Sequence, residues 1–173
     1  TRRSALAVAL AHTALSLSAL ADGIQGYYRQ PAIRGDTLVF AAEGDLWRAS
    51  ARGGAATRLT THPAREREPI LSPDGRTVVF TASYEGPSEL YAMPVEGGEP
   101  TRLTFGGGGD AVGWTPDGKL LYSTDGYSTL PDTQLVALDL ATKRRTRLPL
   151  AQASDGVYDD AGNLYFTRFA FQG

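Results

Sequence analysis

Ser72-Pro73-Asp74-Gly75-Arg76-Thr77-Val78-Val79-Phe80 is the stretch that decides the fold. A Pro-Asp-Gly turn feeds a short run of β-branched and aromatic residues, the composition of a strand. Thr115-Pro116-Asp117-Gly118-Lys119-Leu120-Leu121-Tyr122 repeats it, and so does Asp159-Asp160-Ala161-Gly162-Asn163-Leu164-Tyr165-Phe166. The glycines Gly75, Gly118 and Gly162 are spaced by 43 and 44 residues. Arg34-Gly35-Asp36-Thr37-Leu38-Val39-Phe40 is an earlier copy with a shorter turn. A second motif keeps the same step. Thr57-Arg58-Leu59-Thr60, Thr101-Arg102-Leu103-Thr104 and Thr146-Arg147-Leu148-Pro149 are spaced by 44 and 45. Two independent motifs in phase define an internal repeat of about 44 residues, a period shared by propeller blades and helical arrays.

The content of each repeat separates those two. In the second, Ile70-Leu71 precedes the Pro-Asp-Gly turn, Thr77–Ser83 reads as a strand, and Glu85-Gly86-Pro87-Ser88 is turn chemistry. Leu90–Val95 reads as a third strand, Glu96-Gly97-Gly98-Glu99 as a hairpin turn, and Thr101–Thr104 as a short outer strand. No window after Asp22 sustains a helical period. Four antiparallel strands per repeat make a propeller blade. The consecutive apolar residues of TVVF and LLYS predict middle strands buried on both faces. In Thr-Arg-Leu-Thr the Leu is expected in the blade core, with Thr and Arg covering an exposed edge. Trp47, Trp114, Tyr91, Tyr122 and Tyr165 are expected in blade cores. The predicted class is all-β: an incomplete β-propeller of about three and a quarter blades, with repeats near 31–60, 64–104, 108–149 and 151–173, preceded by a signal-peptide helix. The chain starts without Met and stops in mid-repeat at Phe169–Gly173, so it is expected to be a segment of a longer one.

At 42% hydrophobic and 21% charged, the composition excludes disorder. The lack of Cys excludes disulfides, thiolate metal sites and a Cys nucleophile. A net charge of −2 with scattered Lys and Arg argues against nucleic-acid binding by phosphate neutralisation. Thr1-Arg2-Arg3, an uncharged run from Ser4 to Ala21, and Ala19-Leu20-Ala21 before Asp22 have the three-part layout of a secretory signal. Residues 1–21 are therefore set apart from the propeller at 22–173, and a periplasmic or secreted location is expected. A membrane anchor or an ordinary amphipathic helix are the rival readings, the former weakened by the Ala/Ser-rich composition.

The pattern Ser-Pro-Asp-Gly-Arg, apolar strand, Glu-Leu-Tyr, Gly-Gly and Thr-Arg-Leu-Thr resembles the repeats of TolB-like proteins, of prolyl-oligopeptidase relatives and of tricorn proteases. More specifically, Tyr27-Tyr28-Arg29-Gln30-Pro31-Ala32-Ile33-Arg34-Gly35-Asp36, with Gly44-Asp45-Leu46-Trp47 and Gly113-Trp114-Thr115-Pro116-Asp117-Gly118, is similar to the first propeller of tricorn-type serine proteases. That resemblance implies a six-bladed propeller followed by a seven-bladed one, a PDZ domain and a serine-protease core, all in a large homo-oligomer that cleaves peptides. It maps no catalytic residue onto this chain and implies no cofactor. The blades begin within about ten residues of the expected cleavage point, which leaves no room for the domain that precedes the propeller in TolB-like proteins. The partners implied are peptides or proteins, further blades and the protease domains.

Within the chain, chemistry is sparse. His62-Pro63 reads as a surface connection, and no G-x-S-x-G elbow is present. Asp155, Asp159 and Asp160 lack the spacing of a calcium loop and read as turn residues, as do Asp74 and Asp117. Gly106–Gly109 lacks a following Gly-Lys-Ser/Thr and reads as a flexible connection. The mixed-charge run before an inner strand gives the best candidate site. Arg65, Glu66, Arg67 and Glu68, with Asp110, are expected to form a charged rim at the channel or at a partner surface.

Overall fold

The computed structural model describes residues 27–106, 108–128 and 132–168. The expected signal segment lies outside them. Among the described residues there is no helix. The first sheet consists of β1 (Arg29–Arg34), β2 (Thr37–Ala42), β3 (Asp45–Ser50) and β4 (Thr57–Arg58). The second consists of β5 (Glu66–Leu71), β6 (Thr77–Ala82), β7 (Glu89–Pro94) and β8 (Thr101–Arg102). The third consists of β9 (Asp110–Trp114), β10 (Leu120–Thr124), β11 (Gln134–Leu138) and β12 (Arg145–Arg147). A two-stranded sheet follows, β13 (Gly156–Tyr158) with β14 (Leu164–Phe166). Each sheet is an antiparallel meander in sequence order, so the chain is an arc of three propeller blades with two strands of a fourth.

The turns are built by the repeated Asp and Gly. Gly75 N–H donates to Ser72 O at 2.8 Å with φ of 71°, a conformation that favours glycine. Asp74 Oδ1 accepts from Arg76 N–H and from Ser72 Oγ, and Ser72 Oγ in turn accepts from Thr77 N–H. Thr115, Asp117 and Gly118 make the same turn one blade later. Asp159 accepts from Asn163 N–H at 2.7 Å, as expected of a turn residue. These bonds to the ionised form hold the Asp74 and Asp159 carboxyls below the usual range. At Asp117 the Lys119 ammonium has the larger effect, ahead of Thr115.

The core lies between blades, which explains the consecutive apolar residues. Val78 and Phe80 of β6 pack with Val39 and Leu46 of the first blade, while Val79 packs with Leu120, Tyr122 and Val136 of the third. Likewise Leu120 and Tyr122 of β10 face the second blade, and Leu121 joins Leu135 and Ala153 toward the fourth. Strand alternation thus divides one apolar run between two interfaces.

Four details depart from the sequence reading. The second Thr of Thr-Arg-Leu-Thr is buried, not at the edge. Thr60 Oγ1 accepts from Leu46 N–H at 2.8 Å, and Thr104 Oγ1 accepts from Leu90 N–H at 2.9 Å, satisfying the last amides before the sheet ends. Tyr165 is 60% exposed, on a sheet of two described strands. Trp47 and Trp114 are half-buried where Tyr91 and Tyr122 are fully so. Gly108 and Gly109 are close-approach positions rather than a flexible connection. A Cβ would lie 2.2 Å from Ser88 O at Gly108 and 1.9 Å from Ser123 O at Gly109.

Candidate functional site

The inner strands β1, β5 and β9 each carry one extra residue opposite their middle strand. Such a bulge re-aims side chains. In the first two blades it consists of Gln30-Pro31 opposite Phe40 and Glu68-Pro69 opposite Phe80. Gln30 and Glu68 both take positive φ there, 51° and 54°. Arg29, Arg67 and Asp110 occupy one position in three successive blades, opposite Ala41, Thr81 and Ser123.

This register joins neighbouring blades through charged and polar side chains. Glu68 N–H donates to Gln30 Oε1 at 3.0 Å, linking the first two blades. Arg67 stands 3.6 Å from Glu68 and 3.8 Å from Asp110, linking the second to the third. Burial pushes the Glu68 carboxyl up, and the neighbouring Asp110 pushes it further, with Arg67 acting against both. Of the five residues expected at a rim, the structure therefore brings Arg67, Glu68 and Asp110 together.

Glu66 stands apart from them. It is only 2% exposed and accepts from Tyr84 Oη at 2.6 Å and from Thr60 Oγ1 at 3.0 Å. Its N–H donates to Gly44 O at 2.8 Å, which pins the start of β5 to the first blade. A side chain so held anchors the blade boundary, and it also lines the cavity that Arg65 and Arg67 border. Arg65 is exposed and lines a cavity of about 410 Å³ with Arg29, Gln30, Glu43 and Arg67. Glu68 and Asp110 instead line a cavity of about 650 Å³ with Asp155, Val157 and Tyr165. The inner strands therefore present a surface that is basic toward the first blade and acidic toward the fourth.

Arg29 and Gln30 were not singled out in the sequence, although a signal for them existed. Arg29-Gln30-Pro31 and Arg67-Glu68-Pro69 are the same tripeptide motif in successive repeats. His62 sits in the connection where it was expected. Its Nδ1 accepts from Ala64 N–H at 3.0 Å, and its ring packs 4.1 Å from that of Tyr84. Among the described residues no group of three or more His, Cys, Asp or Glu is arranged to hold a metal ion.

Comparison with known proteins agrees with this architecture. Residues 25–173 match the family described as the tricorn protease N-terminal beta propeller domain. Tricorn protease homolog 1 of Streptomyces coelicolor is 37% identical over 132 residues, 75% of this chain and 12% of that protein. The crystal structure of the tricorn protease aligns with a TM-score of 0.72 at 25% identity, over 82% of this chain and 15% of that one. A TolB-type structure from Agrobacterium tumefaciens aligns at 0.69 with 26% identity, over 82% of this chain and 53% of that one. The chain thus spans about an eighth of the length of the Streptomyces relative. Three meandering blades, their shared bulge and the family match lead to one conclusion: the chain belongs to the tricorn protease N-terminal β-propeller family.

Proposed function

We propose that this chain serves as an accessory propeller in an exported, tricorn-like serine peptidase, where it guides peptides or contacts protein partners and takes no part in bond cleavage. The observation that carries this reading is the polarised inner surface. Arg29 and Arg65 line the cavity at the first blade, Glu68, Asp110 and Asp155 line the one toward the fourth, and Arg67 joins the two by pairing with Glu68 and Asp110. An extended peptide has a cationic and an anionic terminus, so a surface with opposite charges at its two ends favours one orientation of passage. Membership of the tricorn family supplies the peptidase context, and the signal-like residues 1–21 supply the expectation of export.

The test uses the intact protein with Arg67→Glu and Asp110→Lys. Hydrolysis of long charged peptides is expected to change at least several-fold and to depend on salt, while turnover of di- and tripeptide substrates is unchanged. Equal loss on short and long substrates, or no change on either, would overturn the reading. A second reading is a TolB-like binding propeller without peptidase chemistry, favoured by the nearly equal fold similarity to that structure. An intact protein with no peptidase activity on any peptide length would favour it.

A further inference from the structure

A second cavity, of about 590 Å³, lies on the outer side of the boundary between the first two blades. It is walled by His62, Tyr84 and Tyr91 and rimmed by Glu85, Glu99 and Arg102. The three rings form one cluster, with Tyr84 4.1 Å from His62 and 4.6 Å from Tyr91. Arg102 is already committed. It donates to Glu85 at 2.7 Å, to Glu89 at 3.0 Å and to Thr104 O at 2.9 Å. The rim therefore carries a net negative charge beside aromatic faces.

One wall residue is incompletely satisfied. Tyr91 is 3% exposed, and its hydroxyl has no hydrogen-bond partner. The same position, opposite the Arg of the outer strand, holds Trp47 in the first blade and Val136 in the third. The Trp47 indole N–H donates to Ala42 O at 3.2 Å, and Val136 has no polar side-chain atom. Phe at position 91 would fill the same volume without the cost of an unpaired buried hydroxyl. The hydroxyl is explained if a ligand completes it.

From this geometry we infer that the cavity binds an organic cation, the basic side chain of a lysine or arginine in a peptide or protein. The rings of Tyr84 and His62 attract a cation through the ring quadrupole, and Glu99 adds charge complementarity, since Glu85 is already paired with Arg102. The ammonium or guanidinium N–H donates to the lone pairs of Tyr91 Oη once a small shift of the wall side chains uncovers that buried atom. The aliphatic stem lies against Leu59 and Pro100, which also line the cavity. This site is separate from the inner-strand surface and does not depend on the peptidase reading.

The test is saturation-transfer NMR on the intact protein, with Nα-acetyl-lysine amide, Nα-acetyl-arginine amide, the uncharged norleucine analogue and the glutamate analogue as probes. The lysine and arginine probes are expected to bind and to compete with each other, with norleucine at least about tenfold weaker. Tyr91→Phe is expected to weaken lysine binding about tenfold, as loss of a hydrogen bond to a charged group does, while leaving the melting temperature equal or higher. Glu99→Gln, at an exposed position, is expected to weaken it about threefold with no change in folding. Equal binding of norleucine, preference for glutamate, absence of binding by every probe, or unchanged lysine binding in Tyr91→Phe would each overturn the inference.

Discussion

Glu66 illustrates how one residue can contradict its neighbourhood in the sequence. Inside Ala64-Arg65-Glu66-Arg67-Glu68 it reads as part of a solvated run, yet it is the one member that is buried. Burial raises its pKa above the ordinary 4.5, Asp45 adds to the rise, and hydrogen bonds from Tyr84 and Thr60 act against it. An acid whose folded pKa lies above its unfolded one binds its proton more tightly in the fold. Its contribution therefore favours folding below the ordinary carboxylate value and is lost as pH rises from that value through the raised one. Glu66→Gln keeps an acceptor for Tyr84 Oη, and its amide N–H can donate to Thr60 Oγ1. The variant is expected to be at least as stable as the parent at pH 7 and to lose this part of the pH slope. Glu66→Ala removes the acceptor of both hydroxyl protons, those of Tyr84 and Thr60, and should cost about 1–3 kcal/mol. Thermal melts between pH 4 and pH 7 decide the matter, and a parental slope in the Gln variant would exclude Glu66 as the titrating group.

At the scale of the element, the blade closes through a polar clasp that the repeat motif carries without announcing it. The outer-strand Arg reaches back to the first residue of the third strand. Arg58 bonds Asp45, Arg102 bonds Glu89, and Arg147 donates to Gln134 at 3.4 Å. In the second blade Thr104 completes the clasp, donating to Glu89 at 2.5 Å while accepting from Leu90 N–H. Thr104→Val keeps the shape but strands a buried amide and removes one bond from a buried carboxylate. It should cost about 2–3 kcal/mol. Thr101→Val, at the exposed first position of the same motif, should stay within about 0.5 kcal/mol. Denaturant unfolding of the two variants separates them, and equal effects would refute the clasp. Strand order and the two-faced middle strands were legible in the sequence because turn chemistry and consecutive apolar residues are local signals. The clasp and the bulge were not, because each depends on which residues the register brings opposite one another. Hence Thr60 and Thr104 read as edge residues, and Gln30-Pro31 as no site at all. Gly108 and Gly109 read as a loose connection because sequence shows a missing side chain but not the carbonyl pressed against it.

At the scale of the whole molecule, the middle strands of the second and third blades are buried along almost their whole length, while the two outermost described sheets expose large apolar side chains. Ile33 of the first sheet is 64% exposed, and Val157 and Tyr165 of the fourth are 63% and 60% exposed. In a propeller each sheet buries its faces only against the next, so stability is largely a sum of blade and interface contributions. An uncovered blade face is on the order of several hundred Å², the size at which apolar patches drive association. At roughly 25 cal/mol per Å², each such face forgoes on the order of 10 kcal/mol of burial. That is comparable with the net stability of an entire domain, about 5–15 kcal/mol. Residues 27–168 expressed by themselves are therefore expected to self-associate in a concentration-dependent way. Tyr165→Lys combined with Val157→Lys should shift sedimentation toward the monomer without stabilising it, since the charges block the contact but restore no burial. A sharply melting monomer of the unsubstituted segment at all concentrations would show that these faces do not govern its association.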